Sequence, residues 1–319
     1  MINRQTFHSS IKQSGVPMQV PRSDFLLVLL LLCFSGNPAL CRQGTFKLLT
    51  VGFAAILALM LNYQPKKEEL SELLTAMGLF GIILAIQSMG LRFLSFPTLL
   101  GFFIRLFLGF AIVKRVSDFP DTYVRVMYYL AILSLFFYIP EQIANNLGLN
   151  FAALFQPLAD LIGTSRHRQD LFFHTFMTTH KTRNAGMFWE PGAFAGYINL
   201  ALVFLGLIRN RLSRQAFFRH FVVLSITLFT TLSTTGYFVY PIVLLLVFSR
   251  EICGLRRATP RSVAVLVAVI PLLAGVFSYA YFELDFMQAK MEEQSESVKY
   301  TKGRWHRGRL GSAVFDWST

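Results

Sequence analysis

The sequence predicts an all-α polytopic integral membrane protein, and three observations carry that prediction. Of 319 residues, 54% are hydrophobic, 33 are Phe and only 15% are charged, an apolar excess beyond that of a water-soluble domain this size. The apolar residues gather into runs that approach the roughly 20 needed to cross about 30 Å of hydrocarbon. The basic residues, which bring the formal net charge to +13, fall between those runs. That placement argues against nucleic-acid binding, since no basic stretch is interleaved with base-stacking aromatics on a polar domain.

About nine spans are expected, over 24–40, 46–61, 72–91, 93–113, 123–140, 187–208, 221–233, 236–249 and 262–282. The first apolar run, Asp24 to Phe34, follows a tail carrying Arg4, Lys12 and Arg22. No small-x-small cleavage site follows it cleanly, and Cys41-Arg42-Gln43-Gly44 leads into another span. A retained helix or signal-anchor is therefore expected rather than a cleaved signal peptide. The seventh and eighth spans are short. Phe221 to Phe248 form one apolar stretch broken by Thr230-Thr231-Leu232-Ser233-Thr234-Thr235-Gly236, too long for one helix and scant for two. Two short helices meeting at a polar break fit it. At membrane depth such a break is tolerated only where protein buries it or it lines a watery cavity.

Orientation follows from Lys and Arg in short loops, which resist translocation. An inside N-terminus places the tail, 62–71 (Lys66, Lys67), 114–122 (Lys114, Arg115), 209–220 (Arg209, Arg211, Arg214, Arg219) and 250–261 (Arg250, Arg256, Arg257, Arg261) in the cytoplasm. The last two segments are both arginine-rich, so an even number of crossings must separate them. The chain then divides into N-terminal helices (1–140), a first large outer loop (141–186), helices 187–282 with a broken short hairpin at 221–249, and a second outer loop (283–319).

Chemistry is expected in the outer loops. The first carries Arg166, Arg168, Lys181 and Arg183 with His167, His174 and His180; the second carries Lys290, Lys299, Lys302, Arg304, Arg307 and Arg309 with His306. Long loops are translocated despite their charge, so these cations read either as solvated surface or as sites for an anionic substrate, whose phosphates suit guanidinium forks. The histidines, seven and six residues apart, do not stack on one helical turn, so no metal site is expected. Cys33, Cys41 and Cys253 are scattered, without CxxC or disulfide-like grouping, and read as small core residues.

One junction is richer. The run Lys181-Thr182-Arg183-Asn184-Ala185-Gly186-Met187-Phe188-Trp189-Glu190-Pro191-Gly192-Ala193-Phe194-Ala195 sits where the first outer loop enters the sixth span. Pro191 suits a first helical turn, where its missing N–H is not needed, and Glu190 meets the positive end of the helix dipole. Arg183 and Glu190, with Gly186 and Gly192 permitting close approach, suit a diphosphate and an acceptor hydroxyl. The blander readings are an interfacial arginine with its charge in water and a helix-terminal carboxylate without chemistry.

The string R-x-x-G-x-F-x-E-P-x-x-F-A resembles the loop-to-helix junction of the bacterial O-antigen and exopolysaccharide polymerase and O-antigen ligase family. The Thr231-Leu232-Ser233-Thr234-Thr235-Gly236 break resembles that family's T-L-S-x-(S/T)-G, and Gly303-Arg304 through Arg309-Leu310-Gly311-Ser312 resembles the end of its second large outer loop. The resemblance covers about residues 120 to 319. Since the family continues into further helices, it also implies that the chain is C-terminally incomplete.

What the resemblance implies is polymerisation of polyprenyl-diphosphate-linked oligosaccharide repeats at the outer face of the bacterial cytoplasmic (inner) membrane, by metal-independent glycosyl transfer without a cofactor. Arg183, Arg304 and Arg309 would hold the diphosphate, Glu190 would act as base or orient the acceptor, and His180 is the alternative base. Absence of D-x-D fits transfer without a divalent ion. The implied partners are the lipid-linked glycan, membrane lipid, a chain-length regulator and a flippase. Transfer onto a lipid A core by an O-antigen ligase is the alternative acceptor chemistry, and a lipid-linked oligosaccharide flippase the alternative class; Glu190 favours the polymerase.

Overall fold

The computed structural model describes residues 21–38, 52, 56, 66–91, 96–162, 164–165, 168–178 and 181–253. Of the nine expected spans, 46–61 (apart from Gly52 and Ile56) and 262–282 lie outside the described residues, as does the second outer loop. Helices lie over the other seven: α1 (Arg22–Gly36), α2 (Lys67–Leu91), α3 (Phe96–Arg115), α4 (Phe119–Asn146), α6 (Pro191–Ile208), α7 (Arg214–Thr230) and α8 (Thr234–Cys253). A short helix, α5 (Gln156–Ile162), lies in the loop after α4.

The helix starts follow local chemistry. Asp118 caps α4 by accepting from the Asp121 N–H (3.4 Å), with Pro120 in the first turn, and Ser213 caps α7 by accepting from the Ala216 N–H (3.2 Å). Among the described residues two helices, Phe119–Asn146 and Pro191–Arg211, are long and apolar enough to cross a membrane. Tyr129, Ile132, Phe136, Ile139 and Ile143 recur on α4 at helical spacing and all are exposed, an apolar stripe that water does not favour.

The bundle has two chemically distinct ends. At one, Asp24 Oδ2 accepts from the Ser117 N–H (3.0 Å) and Oγ–H (2.8 Å), Lys114 pairs with Glu72 (2.9 Å), and Arg211 pairs with Asp118. At the other, the Trp189 N–H donates to the Gly36 carbonyl (3.2 Å) and the Asn37 amide donates to the Phe172 carbonyl. Thus α1, α4 and α7 run from the first end to the second, whereas α6 and α8 run back. Between the ends the core joins Val28 and Leu32 of α1, Leu108 and Ile112 of α3, Met127 of α4, Phe194, Ile198, Leu202 and Leu205 of α6, and Leu224 and Leu228 of α7.

The loop after α4 departs from the all-α expectation. It holds a three-stranded antiparallel sheet, β1 (Thr164–Ser165), β2 (Arg168–Asp170) and β3 (Thr175–Met177), in the order β1-β2-β3. Gln169 stands opposite Phe176 and Asp170 opposite Thr175. Phe176 and Leu171 pack with Phe137 of α4 and Ala159 of α5 in a separate small core, so the sheet sits on the second end of the bundle.

Candidate functional site at the second end of the bundle

The segment 181–186 is held by three elements. From α4, the Tyr138 hydroxyl donates to the Thr182 carbonyl (2.8 Å) and the Gln142 amide to the Lys181 carbonyl (2.6 Å). From the end of α7 and the turn after it, the Thr230 carbonyl accepts from the Asn184 N–H (3.0 Å) and the Thr231 carbonyl from Arg183 Nε (3.3 Å). From the sheet, the Thr175 N–H donates to the Gly186 carbonyl (2.6 Å). Asn184 lies at the centre, fully buried. Its amide donates to Ser134 Oγ (3.2 Å) and Thr230 Oγ1 (2.9 Å), and its Oδ1 accepts from the Gly186 N–H (2.9 Å).

Gly186 has φ +55°, a left-handed conformation that glycine adopts without penalty. A side chain there is excluded on space as well, because a Cβ would lie 2.7 Å from Phe194 Cε1. The ring beyond it belongs to a stack, with Phe188 against Phe194 (centroids 5.3 Å apart) and against Tyr197 (4.4 Å). The glycine of the motif thus lets the loop lie directly on the α6 aromatics.

The polar break is a capped turn. Leu232 takes φ +46°, unusual for a residue with a side chain, and the hydroxyls around it hold that geometry. Thr231 Oγ1 donates to the Leu228 carbonyl (2.7 Å) and accepts from the Ser233 N–H (3.3 Å), while Ser233 Oγ accepts from the Gly236 N–H (3.3 Å) to cap α8. The expected short helices prove longer, 17 residues in α7 and 20 in α8, because α7 begins at Arg214 within the basic segment.

Arg183 reaches this turn, and Glu190 stands near it. Arg183 is half-buried with its Nε on Thr231, whereas Glu190, exposed, is the extended residue preceding α6 (φ −153°, ψ 154°). A Cβ on Gly192 would stand 3.5 Å from Glu190 Oε1 and 3.7 Å from Ser233 Oγ, so the carboxylate and hydroxyl flank that glycine. His180, Arg304 and Arg309 lie outside the described residues.

Sequence reasoning passed over the α4 contribution. Ser134, Tyr138, Glu141 and Gln142 follow at i, i+4, i+7 and i+8 and so share one face, which meets the 181–186 segment. The available signal was the change from apolar to polar after Pro140. Just before β3, burial pushes the His174 imidazole down to about 3, far below its ordinary 6.5. No family model, no curated protein and no solved structure matches this chain.

Proposed function

We propose that the chain is a multi-pass membrane glycosyltransferase that polymerises polyprenyl-diphosphate-linked oligosaccharide repeats, with the second end of the bundle facing out of the bacterial cytoplasm. What supports this function is the meeting of two segments that lie far apart in sequence, 48 residues separating Arg183 from Thr231. Arg183 of the R-x-x-G-x-F-x-E-P junction bonds to Thr231 of the T-L-S-T-T-G break, and Glu190 flanks Gly192 together with Ser233. Each segment resembles the same family independently. The two long apolar helices and the exposed stripe on α4 favour a bilayer as the surrounding solvent.

In this mechanism Arg183, joined by Arg304 and Arg309 from the second outer loop, meets the negative charge that develops on the departing diphosphate. Glu190 orients the acceptor hydroxyl at the α6 terminus. The decisive experiment expresses the complete reading frame in a strain lacking its own polymerase and reads the ladder of glycan lengths. Arg183→Ala and Glu190→Gln are expected to abolish the ladder and leave single repeats capped onto the lipid core. A ladder that survives both substitutions rejects the site, and loss of all capped glycan points to a ligase instead.

A further inference from the structure

On the α4 face that grips the Arg183 segment, three of the four polar side chains are committed to holding it. Ser134 accepts from Asn184, Tyr138 donates to the Thr182 carbonyl, and Gln142 donates to the Lys181 carbonyl. Glu141 is the fourth, and no hydrogen bond or ion pair engages its carboxylate among the described residues. It is only 6% exposed, and the Lys181 ammonium lies near enough to act on it electrostatically. Burying a carboxylate without donors is costly, and nothing in the packing of α4 explains the expense. Tyr138 and Gln142, which flank Glu141 on this face, bind the carbonyls of Thr182 and Lys181, so the carboxylate stands beside the segment that leads into Arg183.

We infer that Glu141 is the group that takes the proton from the incoming sugar hydroxyl, an assignment that rests on the glycosyl transfer proposed above. The acceptor oxygen bonds to the anomeric carbon of the lipid-linked donor as the bond from that carbon to the diphosphate oxygen breaks. The electron pair leaves with the polyprenyl diphosphate, beside Arg183, and the hydroxyl proton passes to a Glu141 carboxylate oxygen. Glu190 is exposed, so its part is to orient the acceptor. Glu141 is shielded, and in its ionised form no donor among the described residues occupies its carboxylate, which leaves it free to take the proton of a hydroxyl.

The test uses the complete chain, purified in nanodiscs and given lipid-linked repeat units. Glu141→Gln is expected to lower kcat about 100-fold or more, within the range a general base supplies, with KM within twofold and an unchanged melting temperature. Glu141→Ala is expected to regain turnover in proportion to added formate, a small carboxylate that fits the space left. Because a rescued rate cannot come from unfolded protein, this variant decides the matter even where the glutamine variant accumulates poorly. Near-normal kcat in Glu141→Gln overturns the inference, as does a loss that formate leaves untouched. An active parent chain silenced by Arg183→Ala but not by Glu141→Gln would defeat this inference alone, whereas an inactive parent chain would defeat the glycosyl-transfer function beneath it.

Discussion

Two residues of the loop between α4 and α6 show how chemistry read from sequence can be redistributed by packing. Arg183 carries the charge, but the neighbouring Asn184 carries the architecture, its amide tying the loop to α4 and to the end of α7 while its Oδ1 accepts from Gly186 within the loop. His174 entered the sequence reading as part of a cationic surface. Instead it is 1% exposed, stacked on Phe137 (5.2 Å) and edge-on to Phe176 (4.7 Å), and neither ring nitrogen finds a partner among the described residues. Its imidazole is held down to about 3 in the fold against 6.5 when free, so the folded loop binds fewer protons than the unfolded one. Stability is therefore fully present above about pH 6.5 and is lost as the pH falls from there toward 3, at up to about 1.4 kcal/mol per pH unit. Hydrogen exchange is expected to show residues 164–178 opening faster at pH 5 than at pH 7, and His174→Leu to abolish most of that difference. An equal pH response in the variant would place the sensitivity elsewhere.

At the scale of elements, the contact between α6 and α8 is set by small residues, which let helix backbones approach closely. A Cβ on Gly236 would fall 2.6 Å from Ala195 Cβ, and one on Gly206 would fall 3.0 Å from Val247 Cα. Neither obstacle is the end of a flexible side chain. The Asn199 amide also donates to the Gly236 carbonyl (3.2 Å), fixing the register of the pair. Gly236→Ala is therefore expected to push the helices apart and cost about 1–3 kcal/mol, read as a lower melting temperature in detergent. Ala195→Gly on the same chain removes the opposing methyl and should restore most of the loss, less about 0.5–1 kcal/mol for a glycine inside a helix. Absence of that rescue would show that the spacing is set by other contacts. The break itself was legible from its run of Thr and Ser, but its form was not. A left-handed Leu232 is no part of any sequence rule, and it is held by hydroxyl bonds within the turn itself, from Thr231 to the Leu228 carbonyl and from the Ser233 N–H to Thr231.

For the whole molecule, the apolar runs marked where helices form because their length and composition are set by each segment alone, as in Phe119–Asn146 and Pro191–Ile208. The strands Thr164–Ser165, Arg168–Asp170 and Thr175–Met177 left no such trace, since two or three residues are too few to show alternation. Glu141 escaped notice for a related reason, because its burial depends on a loop that returns some 40 residues later. The alternation of helix ends gives the molecule a sidedness that can be measured. Leu149, exposed after α4, and Asn210, exposed after α6, lie at opposite ends of the bundle. The latter stands among Arg209, Arg211 and Arg214, the kind of cluster that stays in the cytoplasm. With the three native cysteines replaced by alanine, a membrane-impermeant maleimide is expected to label Leu149→Cys in cells whose outer membrane has been made permeable, and Asn210→Cys only after the inner membrane is opened. A bundle lying wholly on one side of the bilayer would expose both cysteines together, so simultaneous labelling would remove the membrane-spanning orientation on which an outward-facing site depends.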